Sequence, residues 1–112
     1  MKYKIVLVPF PFDDLRANKV RPAVCLTEEI KPYSHIVLAF IASRVAPSIS
    51  PTDFVIDKAD LDFAATGLKV SSAVRLHRLM TVAKSFILRE LGGLSGPHQT
   101  EIDNRLRKLF NL

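Results

Sequence analysis

The chain has 112 residues, 48% of them hydrophobic, which is enough for one globular domain over residues 1–112 with a modest core. Sixteen Lys and Arg against eleven Asp and Glu give a net charge of +5, which favours a polyanionic partner such as RNA, DNA or an acidic protein segment, or else a basic surface that binds nothing. Cys25 is the only cysteine, which excludes an internal disulfide, and the longest apolar run, 36–42, is far shorter than the roughly 20 residues that span a bilayer. We therefore expect a cytoplasmic protein.

Short apolar runs rich in Val and Ile recur between turn signals, at a spacing typical of a mainly β domain, either a small barrel or two packed sheets. They predict strands near 4–8, 21–27, 35–43, 53–56, 70–76 and 79–82. Pro9 and Pro11 are expected to end the first strand, because proline cannot donate to a strand ladder. Residues 57–65 are expected to form a short helical segment that Gly67 closes.

The C-terminal segment predicts a helix. Gly96 suits the cap and Pro97 suits the first helical position. Apolar residues then recur at helical spacing on one face, which we expect to lie on the sheet: Ile102, Leu106, Leu109 and Phe110.

Residues 9–22 join the first two apolar runs through a polar, basic loop. This loop concentrates Arg16, Asn18, Lys19 and Arg21, whose side chains can hold a phosphate or stabilise the charge of a reacting one. We therefore place the chemistry of the protein here.

Several segments, in order along nearly the whole chain, resemble the MazF/PemK family of toxin endoribonucleases. They are IVLVPFPF at 5–12, RPAVCL at 21–26, GLKVSSAVR at 67–75, MTV at 80–82 and LGGLS at 91–95. The resemblance implies an SH3-like barrel with short helices and a C-terminal helix, and a homodimer. It also implies a toxin of a type II toxin–antitoxin system that inhibits translation and growth by cutting single-stranded RNA at short motifs, and an antitoxin whose acidic, disordered segment covers the RNA groove.

In that family the ribose 2′-hydroxyl attacks the adjacent phosphodiester without a metal ion. The reaction needs a base, an acid for the departing 5′ oxygen, and groups that stabilise the phosphorane. The histidines are scattered at His35, His77 and His98, and no Cys/His pair has metal-ligand spacing. We expect neither a metal nor another cofactor.

Arg21 matches the arginine of the family's Arg-Pro motif, which implies that it stabilises the transition state and can donate the leaving-group proton; the alternative is a pair with Asp13 or Asp14. Arg75 matches a second family arginine. His77 shares its strand face and replaces the acidic residue that the family carries two positions on, so its imidazole is a candidate for proton exchange. The alternative is a structural histidine.

The family usually carries a threonine and a small residue where this chain has Ala42 and Ser43. Ser43 could supply the missing hydroxyl, but successive strand residues point to opposite faces, so a bulge or a shifted register would be needed. The alternative is a serine that hydrogen-bonds in a turn.

Further RNA contacts are expected from residues around Arg21: Phe12, Arg16, Asn18, Lys19 and Arg44. Each charged residue could instead be a solvated surface group, and Phe12 could pack in a core or dimer interface rather than stack on a base. Two other functions stay open. The protein could be a non-catalytic toxin that inhibits a protein target, as gyrase-poisoning toxins of similar fold do, or a barrel that binds nucleic acid without cutting it.

Overall fold

The computed structural model describes residues 1–10, 19–45 and 50–112, and of Phe10 the backbone alone. The elements, in chain order, are β1 (Lys4–Phe10), β2 (Lys19–Cys25), β3 (His35–Ala42), β4 (Asp53–Ile56), α1 (Phe63–Thr66), β5 (Ser72–Ala83), a 3₁₀ turn (Lys84–Phe86), β6 (Arg89–Gly93) and α2 (Gly96–Phe110). The strands form one antiparallel sheet in the order β4-β5-β3-β2-β1-β6, which curls into a half-barrel. The prediction of a mainly β, SH3-like barrel with a C-terminal helix is confirmed.

Both faces of this sheet carry buried apolar side chains, because successive residues of each central strand enter different clusters. The first cluster includes Ile5 on β1, Val24 on β2 and Ile41 on β3, together with Phe63 of α1 and Ile102 of α2. The second takes the alternate residues of the same strands: Val6, Val8, Ala23, Cys25, Ile36, Leu38 and Phe40, with Val82 of β5. This two-sided burial explains why the strands read as nearly continuous apolar runs.

The first strand does not end at Pro9. Pro9 lies inside β1 and pairs with Val20 of β2. The pairing of β1 with β6 covers Lys4 to Leu7, so beyond Leu7 one side of β1 has no β6 partner. Proline, which has no backbone N–H, is tolerated at this position because no hydrogen bond to a neighbouring strand is needed on that side.

Two predictions for the C-terminal half of the sheet were wrong. The segments predicted at 70–76 and 79–82 are not two strands, because one strand, β5, runs from Ser72 to Ala83, and β6 was not predicted. Residues 57–65 contain a shorter helix than expected, since α1 begins only at Phe63, but Gly67 closes it in a left-handed conformation at φ 73° as predicted.

Helix α2 begins one residue after its cap, which is Ser95 and not Gly96. The Ser95 hydroxyl accepts a hydrogen bond from the His98 backbone N–H at 3.4 Å, and Pro97 lies in the first turn. Ile102 is fully buried against the sheet, whereas Phe110, also expected on that face, is 53% exposed at the end of the helix. Leu106 and Leu109 pack, partly buried, against the first cluster.

Within the described part of the chain, we find no helix whose length and apolar content would let it cross a membrane.

Candidate active site

Arginine side chains converge on one cavity at the rim of the sheet. Arg21 of β2 and Arg75 and Arg78 of β5 line this cavity of about 130 Å³, and Phe40, Ile41 and Ala42 of β3 form the rest of its wall. We call these six residues the arginine pocket. It concentrates positive charge around a space with an apolar floor.

The strand register explains how Arg21 and Arg75 meet. Phe40 pairs with Arg75 on one side of β3 and with Ala23 on the other. Arg21 lies two residues before Ala23, so strand alternation places its side chain on the same face. Both guanidinium groups are therefore carried by paired strands on either side of the C-terminal end of β3, which fixes their backbone positions.

A large bulge in β5 introduces Arg78. Ala39 pairs with Leu79 whereas the next residue, Phe40, pairs with Arg75, so residues 76–78 have no counterpart on β3. Bulges of this kind turn side chains in new directions and are frequent beside active sites. The guanidinium carbon of Arg78 lies 6.0 Å from the centre of the Phe40 ring, within the range of a cation–π contact. Arg78 was not among the predicted site residues, although the break predicted between residues 76 and 79 marks this bulge.

Asp53 brings a buried carboxylate next to the pocket. It lies opposite Arg75 in the β4–β5 pairing and is 5% exposed. Its Oδ2 is 3.5 Å from Nη1 of Arg75, and its Oδ1 is 3.9 Å from Nδ1 of His77. Asp53 was not a candidate in the sequence analysis, because strand pairing rather than spacing along the chain brings it to Arg75.

His77 is exposed at the edge of the same cluster. Its Nδ1 lies 2.9 Å from the Thr52 hydroxyl, and this hydroxyl is also 2.6 Å from Oγ of Ser50. If Nδ1 donates to Thr52, the ring keeps an unprotonated Nε2 that can accept a proton. His77 is not among the residues that line the arginine pocket, but Asp53 links it to Arg75.

Other predicted site residues lie apart from the pocket. Ser43 lines a separate cavity, as expected for the neighbour of Ala42 on a strand. Lys19 at the start of β2 and Arg44 beyond β3 are exposed and do not line the arginine pocket. Predictions for three further residues lie outside the described part of the chain: Phe12, Arg16 and Asn18.

The cavity that contains Ser43 is a mainly apolar groove of about 470 Å³. Its lining includes Leu7, Val20, Pro22, Leu68, Val70 and Leu91, with Lys69 and Arg89 as its charged members. We call it the apolar groove. Val20 and Val70 are 44% and 47% exposed, so much of this apolar surface faces solvent.

Neither a metal cluster nor a reactive thiol is found among the described residues. No group of three or more His, Cys, Asp or Glu side chains in residues 1–10, 19–45 and 50–112 is arranged to hold a metal ion. Burial of Cys25 raises the pKa of its thiol to about 11, so the nucleophilic thiolate is disfavoured near neutral pH. Cys25 is a core residue, fully buried in the sheet.

Comparison with solved structures gives the same fold. MazF-mt6, a toxin of Mycobacterium tuberculosis, matches with a TM-score of 0.73 and 22% identity over 97% of each chain. An endoribonuclease from a mycobacterial species, in complex with its cognate antitoxin, matches with a TM-score of 0.74 and 12% identity over all of this chain and 95% of that one. MazF from Deinococcus radiodurans matches with a TM-score of 0.72 and 17% identity over 99% of this chain and 96% of that one. At these identities the likeness shows the fold.

A comparison with curated protein sequences found no significant match. The sequence model of one family, described as PemK-like, MazF-like toxins of type II toxin–antitoxin systems, matches residues 1–110. The match covers nearly the whole chain and confirms the resemblance inferred from the segments around Arg21 and Arg75. The chain therefore belongs to the PemK-like, MazF-like toxin family.

Proposed function

We propose that this protein is an endoribonuclease that cuts single-stranded RNA at short sequence motifs, without a metal ion, by attack of the ribose 2′-hydroxyl on the adjacent phosphodiester. The observation that carries this proposal is the convergence of Arg21, Arg75 and Arg78 on one small cavity. As a toxin acting in the cytoplasm, it would stop translation and growth by destroying mRNA.

The arginine pocket suits the charge that develops in this reaction. The phosphorane gathers negative charge on its non-bridging oxygens, and guanidinium groups bind two such oxygens at once. Arg21 and Arg75 lie on two strands that both pair with β3, so little reorganisation is needed when the charge appears. The cations supply the stabilisation that a metal ion supplies in other nucleases.

His77 is the candidate for proton transfer. With Nδ1 engaged by Thr52, its Nε2 can take the proton of a 2′-hydroxyl that lies between His77 and the pocket. Arg21, as the proposed acid, stabilises the phosphorane and donates the proton that the departing 5′ oxygen takes up. Lys19 at the start of β2 and Arg44 beyond β3 are exposed, and we propose that they contact neighbouring phosphates.

The family also supports an antitoxin partner and a homodimer. The apolar groove, with Lys69 and Arg89 at its walls, has the chemistry to receive an acidic segment with apolar side chains. The mycobacterial neighbour was solved with its cognate antitoxin. We expect such a segment to become ordered as it binds.

Cleavage of end-labelled RNA in EDTA tests the proposal. Wild type should give discrete fragments with 2′,3′-cyclic phosphate ends, and Arg21→Ala should reduce the rate by about a hundredfold, as loss of a transition-state donor does in other enzymes. Arg107→Ala is the matched control, because Arg107 is exposed on α2 and bonds to Asn104. RNA that stays intact across varied sequences would refute the proposal.

A binding-only toxin is the second candidate, and Ala42 favours it. Ala42 lines the pocket where the family usually has a threonine, so the pocket lacks that hydroxyl. Salt-sensitive binding of RNA without cleavage would indicate a nucleic-acid-binding barrel. Inhibition of gyrase with RNA left intact would indicate a protein-directed toxin.

A further inference from the structure

We propose that Asp53 is the positioning residue of the arginine pocket, a buried carboxylate that fixes the guanidinium of Arg75 toward the reacting phosphate. This inference rests on the proposed function, because positioning matters only if the pocket holds a phosphate. It assigns a role to a residue that no part of that mechanism uses.

The burial of Asp53 is the first argument. Its side chain is 6% exposed, and an ionised carboxylate taken out of water needs an opposite charge nearby. For Asp53, the opposite charge is the guanidinium of Arg75, whose Nη1 lies 3.5 Å from Oδ2. The Arg75 side chain is 27% exposed, so one end of the pair is buried and the other reaches the pocket. The pair therefore restrains Arg75 from the side opposite the substrate.

The backbone of Asp53 is held independently of this ion pair. Its carbonyl oxygen accepts a hydrogen bond from Nη1 of Arg105 at 2.7 Å, and Nε of Arg105 is held by Glu101 at 2.7 Å. On the neighbouring residue, the Thr52 carbonyl accepts from the Leu76 N–H at 2.9 Å. Strand β4 is thus tied to both α2 and β5 around Asp53. A carboxylate on so fixed a backbone can orient its partner.

The second carboxylate oxygen lacks a full set of partners. Oδ1 of Asp53 is buried and, among the described residues, has no hydrogen-bond partner. His77 lies 3.9 Å away, and its Nδ1 is engaged by Thr52. A buried acceptor without a donor costs stability, and such groups are found where a site retains them for function. Asp53 therefore lies beside two residues of the proposed reaction, with Arg75 at one carboxylate oxygen and His77 at the other.

A mutant cycle tests the positioning role. Asp53→Asn keeps the shape and removes the charge, so kcat for RNA cleavage should fall by about tenfold or more while KM changes little, as loss of an orienting partner does in other sites. Asp53→Glu should recover part of the activity because it restores the charge. In an Arg75→Ala background, Asp53→Asn should cause no further loss. Asp62→Asn is the matched control, since Asp62 precedes α1 and makes no capping hydrogen bond.

The inference would be overturned if the losses of kcat from Asp53→Asn and Arg75→Ala multiplied in the double variant. It would also be overturned if Asp62→Asn lowered kcat as much as Asp53→Asn. The urea midpoint of each variant separates lost positioning from lost folding, because a folded Asp53→Asn protein should still lose kcat. If wild type does not cut RNA, the proposed function fails. The same double-mutant cycle, measured by urea unfolding midpoints, then still tests whether Asp53 and Arg75 interact. Coupling between Asp53 and Arg75 would then support the restraint, and its absence would refute it.

Discussion

At the scale of the residue, the site depends on where each guanidinium is anchored. Arg21 and Arg75 are set by strand pairing, whereas Arg78 owes its place to the bulge at 76–78. In the described part of the chain, Arg78 has no salt bridge, and its guanidinium lies within cation–π distance of the Phe40 ring. Among residues 1–10, 19–45 and 50–112, no carboxylate neutralises this cation at the pocket.

Arg78→Ala should therefore slow cleavage by about ten- to a hundredfold, because one donor to the phosphorane is lost from a pocket that already lacks a hydroxyl at Ala42. Single-turnover cleavage of a short labelled RNA measures this, with Arg107→Ala as the control. The fold should be unaffected, since Arg78 is exposed. Equal rates for Arg78→Ala and wild type would remove Arg78 from the mechanism.

The sequence identified Arg21 and Arg75 because each lies in a recognisable motif on a predictable strand. Arg78 and Asp53 were not predicted as site residues, because their positions depend on strand register, which the sequence alone does not reveal. Ser43 was predicted on the condition of a bulge at the end of β3; the register shift occurs between Ala39 and Phe40 instead, and Ser43 lies in the apolar groove. Its proposed catalytic role stays a prediction.

At the scale of the element, the packing of α1 against β6 requires glycine. A Cβ at Gly92 would lie 2.2 Å from the carbonyl oxygen of Ala65 and 2.6 Å from the carbonyl carbon of Thr66, both backbone atoms that cannot turn aside. Gly67 makes a similar approach to the carbonyl oxygen of Leu91, with φ at 73°. Two glycines thus let the short helix lie directly on the edge strand.

Gly92→Ala should lower the free energy of unfolding by about 2 to 3 kcal/mol, the usual cost of forcing atoms into a filled space. Gly96→Ala is the matched control, because a Cβ there would meet nothing within 4 Å. Its effect should stay within about 0.5 kcal/mol. Urea unfolding of both variants provides the measurement, and equal midpoints would show that β6 and α1 move apart freely.

Strand prediction succeeded where apolar runs are bounded by turn signals. β4 matches residue for residue, and β2 and β3 differ only at their ends. β5 was divided because His77 and Arg78 interrupt its apolar pattern. β6 was missed because its sequence, RELGG, has neither alternation nor β-branched residues. β1 pairs with β6 over Lys4 to Leu7, so tertiary contact outweighs the weak local preference.

At the scale of the whole molecule, a net charge of +5 adds a sequence-independent attraction for RNA. Binding of a non-cleavable, 2′-O-methyl RNA should therefore weaken as salt rises. Arg21→Ala should flatten the plot of log affinity against log salt by about 0.7, the value for one lost phosphate contact on a single strand. An unchanged slope would place Arg21 away from the phosphates. Fluorescence anisotropy at several salt concentrations gives the slope.

Attack by the ribose 2′-hydroxyl is best tested by cleavage, in EDTA, of an RNA with one 2′-deoxy nucleotide on the 5′ side of the mapped cut. We predict that wild type cuts the all-RNA strand, leaving a 2′,3′-cyclic phosphate, and leaves the substituted bond intact, because the attacking hydroxyl is missing. Cleavage of the deoxy-substituted bond at an equal rate would contradict the mechanism, since another nucleophile would then perform the attack.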